Sequence, residues 1–209
     1  MYTGPATSWQ IAVDQVKFIR DRKMARRTSG WFTAVVAFPP LRVALVFAQV
    51  VRLPGARVLL SELLTADRIK VPLASRTKND LLRELVELVT RTYRGGDPES
   101  ILASVREREM VLSTGIGGGV AIPHGKTPQV DQLLLAAGVA PEPIDFDALD
   151  GKPVHLFFLL VGPESAAGAH VKALSRISRL LRREQLRADL IASASPEHFL
   201  RIVRDSEAA

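Results

Sequence analysis

The segment S113-T-G-I-G-G-G-V-A-I-P-H-G-K126 places one histidine, His124, directly after a proline and behind three consecutive glycines. Gly117, Gly118 and Gly119 let the backbone reach positive φ and approach an anion closely. The short apolar run Val120-Ala121-Ile122 reads as a brief buried strand, and Pro123 fixes the entry to His124. The imidazole is therefore expected on a rigid stem, presented to a phosphoryl group.

Working outward, the chain divides by charge. Residues 1–55 carry eight Lys/Arg against two Asp/Glu, and residues 56–209 carry twenty of each. The formal charge of +6 belongs to the leader, so it gives the neutral body no electrostatic footprint for nucleic acid. Within the leader, the basic run 14–27 precedes apolar pieces at Trp31–Phe38 and Val43–Val51, each too short to span a bilayer and separated by Pro39-Pro40. We read residues 1–56 as a disordered or loosely attached leader without membrane association, or as sequence ahead of a non-methionine start near Val58. The domain is assigned to residues 57–209. With no cysteine in its 209 residues, the chain has no disulfide, thiolate metal site or cysteine nucleophile, which points to a cytoplasmic address.

From residue 57 the pattern is that of an α/β domain. A helical turn is expected at Ser61–Leu64 and a strand from Arg68 to Leu73. Thr77 caps a helix with Asp80 in its first turn and Leu81, Leu82, Leu85, Val86, Leu88 and Val89 on one face, ended by Gly95-Gly96. Asp97 and Pro98 open a second helix through about Met110. Leu133–Val139 and Val154–Val161 suit buried strands. Helices follow over about Ala166–Arg183, Glu184–Ala192 and Pro196–Arg204. Strands alternating with helices indicate a layered α/β sandwich.

Two nucleotide motifs fail on inspection. A phosphate-binding loop ending in Gly125-Lys126-Thr127 needs glycine where Val120 stands, and the dinucleotide fingerprint meets Val120 or Ile122 where its last glycine belongs. No metal-ligand spacing links His124, His155, His170 and His198. His155 reads as a structural residue at a strand start, and His198 as a surface or capping-turn residue. His170 lies near a helix start, where unpaired N–H groups favour an anion. Arg108, read alone, is a solvated helix residue.

The segment Ser113–Lys126 closely resembles the active-site signature of enzyme IIA of the fructose/mannitol type, the phosphocarrier domains of the phosphoenolpyruvate-dependent sugar phosphotransferase system. The nitrogen-related regulatory enzyme IIA belongs to the same group, and the chain is placed in that branch. The likeness continues through Glu142–Val154, Phe157–Pro163 and His170–Leu174, covering residues 57–207. Gly118 departs from the pattern, which often has a polar residue such as asparagine there. The resemblance implies a mixed β-sheet flanked by helices, with His124 as phosphoryl acceptor and Arg108 and His170 lining its pocket. It implies a phosphohistidine carrier of the HPr type as donor, and an enzyme IIB or a regulatory protein as target. No metal or other cofactor is implied. Family IIB domains carry the phosphoryl group on cysteine, so none is expected within this chain. The alternative is a non-transferring regulatory module whose partner contacts are switched by phosphorylation of His124.

Overall fold

The computed structural model describes residues 59–93 and 95–208, so the leader expectation for residues 1–56 lies outside the described residues. Its centre is an antiparallel pair of long strands, β5 (Leu134–Ile144) and β6 (Val154–Gly162). Both are apolar on both faces, as strands sandwiched between two helical layers must be. Along β6 the side chains alternate: Phe157, Leu159 and Val161 enter one core, while Leu156, Phe158 and Leu160 enter the other. Short strands complete a six-stranded mixed sheet: β1 (Ile69–Lys70) beside β5, and β2 (Gly115–Gly117), β3 (Val120–Ala121) and β4 (His124–Lys126) on the far side of β6. The layered α/β sandwich read from the sequence is the fold observed.

Helices α2 (Lys78–Thr92) and α3 (Pro98–Val111) cover one face, after the single-turn α1 (Leu60–Leu63). Helices α4 (Ala167–Leu180), α5 (Glu184–Ile191) and α6 (Pro196–Ala208) supply the second core. The expected caps form. The Thr77 side chain accepts from the Asp80 N–H and that of Asp97 from the Ser100 N–H, with Pro98 at the first helical turn. The six apolar α2 residues named above are all buried.

Three boundaries differ from expectation. The 68–73 strand shrinks to Ile69–Lys70, because Ala66–Arg68 coils into a 3₁₀ turn and Pro72 has no N–H to give the ladder. α2 ends at Thr92, with the Tyr93 N–H on the Val89 carbonyl, before the glycines expected to end it. β5 runs on to Ile144, because Pro141 and Pro143 sit in a register irregularity between Val139 and Ile144 where no ladder donor is demanded.

Buried carboxylates tie the connections to the helices. Glu84 on α2 accepts from the Ala74 and Ser75 N–H groups, each at 2.9 Å, and pairs with Lys70. Glu207 on α6 accepts from the N–H groups of Leu60 and Ser61 at 2.9 Å and from Arg176 at 3.2 Å, joining the two ends of the domain. Burial alone would raise the Glu84 carboxyl, but Lys70, Ser75 and the two backbone donors outweigh it and hold the group at about 2. A carboxyl depressed in the folded state stabilises above its unfolded value near 4.5, and that contribution is lost as pH falls from there toward 2. The predicted loss is up to about 3 kcal/mol across this window. In urea unfolding, Glu84→Gln should be less stable than the parent at pH 7 and show a flatter acid limb. An unchanged acid limb would remove Glu84 from this role.

Candidate functional site

Strand β6 has one edge served by two strand pieces. β3 pairs with its first half in the register Val120↔Leu156, and β4 with its second half in the register His124↔Leu160. Between them lie Ile122 and Pro123. Pro123 still accepts from the Leu160 N–H through its carbonyl, while the Ile122 N–H turns to the Thr114 carbonyl, each at 3.0 Å. The Ile122 carbonyl is thus left off the β6 ladder, and the Nδ1 of His124 lies 2.9 Å from it. A carbonyl can only accept, so Nδ1 carries the proton and Nε2 keeps its lone pair.

The glycines do not do what the sequence reading gave them. β2 and β3 form an antiparallel pair whose turn is made by Gly117, Gly118 and Gly119, all at positive φ. Gly119 lies beside the start of β6, where its carbonyl accepts from His155 and Leu156. His124 lies opposite Leu160, four β6 residues beyond Leu156, or roughly 13 Å along the strand. The turn therefore closes a hairpin remote from the imidazole. Its N–H groups cannot cradle an anion held there, and the Gly118 N–H is taken by Asp150 at 2.9 Å.

His170 and Arg108 approach from opposite layers. His170, in the first turns of α4, is 2% exposed, and its ring centroid lies 5.9 Å from that of His124 with the planes tilted by 57°. Neither His170 ring nitrogen has a hydrogen-bond partner in the structure. A buried imidazole with both polar atoms unpaired is costly, and facing another imidazole it is ready to bond an oxygen placed between them. Arg108 comes from the last turn of α3 and donates to the Leu112 carbonyl at 2.9 Å, within electrostatic reach of His124. Missing side chains make this approach possible. A Cβ on Gly125 would meet Ser104 Oγ at 2.9 Å and Val105 N at 3.0 Å, so only glycine lets α3 lie so close. Arg108 is one helical turn beyond Ser104, on the same face. A Cβ on Gly162 would come 2.4 Å from Leu133 and 3.4 Å from His170 Nδ1.

Burial, more than charge, favours the neutral form of both rings. Burial, helped by the Arg108 charge, pushes His124 below the usual histidine range, against the opposing pull of Ile122 and Glu109. Burial, with His124 and Lys126 adding to it, pushes His170 down to about 4. Lys126 follows His124 by two residues on β4, so it shares that strand face, and its Nζ sits 3.1 Å from Glu164. Behind the site, Glu109 is buried, accepts from the Thr114 N–H and hydroxyl, and pairs with Lys78 at 2.9 Å.

The structure thus brings His124 and His170 together and leaves Arg108 within electrostatic reach of His124. The sequence reading gave no role in the site to Gly125, Gly162 or Lys126, nor to the carbonyl of Ile122. Only the His-Gly-Lys spacing carried any signal for them. His155 is structural, its Nδ1 lying 3.0 Å from the Ala140 carbonyl, and His198 Nδ1 accepts from the Ala194 N–H in a capping turn. Among the described residues no group of three or more His, Cys, Asp or Glu side chains is placed to hold a metal ion, and no helix is long and apolar enough to cross a membrane.

Comparison with known proteins bears on this arrangement. The family model described as phosphoenolpyruvate-dependent sugar phosphotransferase system, EIIA 2, matches residues 62–206. A nitrogen regulatory protein of Bradyrhizobium diazoefficiens is 37% identical over 134 residues, 64% of this chain and 87% of that protein. A fructose-specific EIIABC component of Bacillus subtilis is 35% identical over 148 residues, 71% of this chain, and the chain spans 23% of that relative's length. The crystal structure of the nitrogen regulatory protein IIA-Ntr from Neisseria meningitidis superposes with a TM-score of 0.64 at 33% identity, covering 69% of this chain and 98% of that one. With a fold, a histidine-bearing strand and a sequence match that coincide over the same residues, the chain belongs to the EIIA 2 family of the phosphotransferase system.

Proposed function

We propose that this protein is a phosphocarrier in which His124 takes a phosphoryl group from a phosphohistidine protein of the HPr type. The carrying observation is the 2.9 Å contact of Nδ1 with the Ile122 carbonyl, which holds the proton on one nitrogen and bares the other. Nε2 attacks the donor's phosphorus in line. Its lone pair forms the new N–P bond as the donor's N–P bond breaks, and that electron pair returns to the donor's ring nitrogen. One PO₃⁻ unit moves, and the Nδ1 proton stays hydrogen-bonded to the Ile122 carbonyl throughout. Arg108 neutralises charge on the equatorial oxygens, and the unpaired nitrogens of His170 offer a hydrogen bond to one of them.

Exposed apolar side chains suited to a protein partner follow Arg108 and His170 in the chain. Met110 and Val111, next along α3 from Arg108, are 79% and 80% exposed, and Val171, adjacent to His170, is 63% exposed. Regulation rather than uptake is the use we favour for the phosphoryl group. The nitrogen regulatory relative of Bradyrhizobium diazoefficiens and IIA-Ntr of Neisseria meningitidis support that choice. A regulatory protein, or a IIB domain in the transport alternative, would be the target.

Incubation with phosphoenolpyruvate, enzyme I and HPr should add the mass of one phosphoryl group, acid-labile and absent from His124→Ala. A gain that survives this substitution would overturn the reading. Arg108→Ala should slow the transfer by about 10- to 100-fold with the fold intact, the worth of one charge-assisted hydrogen bond. An unchanged rate would exclude Arg108 from the site. Titration of His124 by NMR should give a midpoint below 6.5, moving upward in Arg108→Ala because the guanidinium disfavours the imidazolium. The neutral acceptor then persists to lower pH than it would in an unburied histidine. A parent midpoint at or above 6.5 would contradict this account of the site.

A further inference from the structure

The two cations nearest the imidazole pair, Arg108 acting on His124 and Lys126 on His170, are engaged differently. Arg108 donates to a backbone carbonyl at the end of its own helix. Lys126 instead pairs with a carboxylate on a separate element, Glu164, which opens the 3₁₀ turn preceding α4. The pair is solvated, with side chains 37% and 74% exposed, so the attraction holding it is weak and easily exchanged. His124 and Lys126 project from the same face of β4, toward the layer that carries His170. Both lie within electrostatic reach of the His170 ring, as does Glu164. A phosphoryl group on Nε2 of His124 brings three acceptor oxygens and new negative charge to this face, and the flexible four-carbon stem of Lys126 lets its ammonium follow that charge.

We propose that Lys126 is a second phosphoryl-binding cation, parked on Glu164 while His124 is bare and transferred to the phosphoryl oxygens once His124 is phosphorylated. This rests on His124 being the acceptor. No covalent bond changes in the exchange: one ion pair is given up and a charge-assisted hydrogen bond is made. Glu164 acts through Lys126 and is a positioning residue. The exchange also changes the surface. With Lys126 drawn to the phosphoryl oxygens, Glu164 is left as an unpaired carboxylate, so a partner meets the phosphoryl group and an uncovered carboxylate where the bare protein offers a neutral pair. That gives a regulatory target a local electrostatic difference to read without any movement of the fold.

The test uses the full chain and phosphoramidate, a small-molecule donor that bypasses partner proteins, with ³¹P NMR as the readout. Lys126→Gln should be phosphorylated at least about tenfold more slowly than the parent, and its phosphohistidine ³¹P titration midpoint should rise by about one pH unit, because a nearby cation favours the more negative form. Lys126→Arg should restore both values toward the parent. Glu164→Gln should act oppositely, faster and with a lowered midpoint, since it frees Lys126. A merely structural Glu164 would not give that sign. Parent values in Lys126→Gln, or a slower Glu164→Gln, would overturn the proposal. If phosphoramidate labels His124 with these effects and the protein relay does not, only the donor assignment fails. If phosphoramidate leaves His124 unlabelled, both readings fall.

Discussion

One interruption in hydrogen bonding governs this site: the sheet edge along β6 is completed by two strand pieces that meet at Ile122-Pro123. Ile122 faces the other edge of the strand, where its N–H bonds the Thr114 carbonyl, so its own carbonyl points away from β6 and lies 2.9 Å from His124 Nδ1. The tautomer of His124 is therefore set by backbone geometry. Backbone geometry is harder to perturb than a side-chain partner, since its position is pinned by the ladder bonds on either side.

Around this break the molecule arranges its layers by removing atoms as much as by placing them. Gly125 lets α3 close down on β4, which brings Arg108 to the imidazole, and Gly162 clears the space that Leu133 and His170 occupy. Buried carboxylates then hold the connecting segments. Glu109 fixes Thr114, whose carbonyl in turn holds Ile122, so the stem of His124 is anchored through Thr114 to the Lys78–Glu109 pair. Glu84 and Glu207 secure segments farther away in the same manner.

The electrostatic consequence is a site prepared for charge that is not yet there. Both imidazoles are held neutral chiefly by burial, with Arg108 acting on His124 and Lys126 on His170. In the proposed transfer, a neutral imidazole keeps the lone pair that attack requires, and Arg108 and Lys126 would meet the charge that arrives. The remote glycine turn serves the fold instead, closing the β2–β3 hairpin and clasped by Asp150 through the Gly118 N–H.

Much was legible from the chain alone. Periodicity and caps located α2 and α3, the apolar runs located β5 and β6, and the motif around His124, with its downstream likeness, named the family and pointed to His124, Arg108 and His170, on which the proposed site rests. These features are local, or depend on segments whose order is written in the chain. What the sequence by itself could not supply was distance. It read the glycines as an anion cradle because they are neighbours of His124 in the chain, yet they sit at the other end of a strand pair. It passed over Gly125 and Gly162 because the worth of a missing Cβ depends on what packs there. It had no means of pairing Lys126 with Glu164, thirty-eight residues on. Those relations arise only when strand register and helix packing bring separated residues together, and register is a property of the assembled sheet.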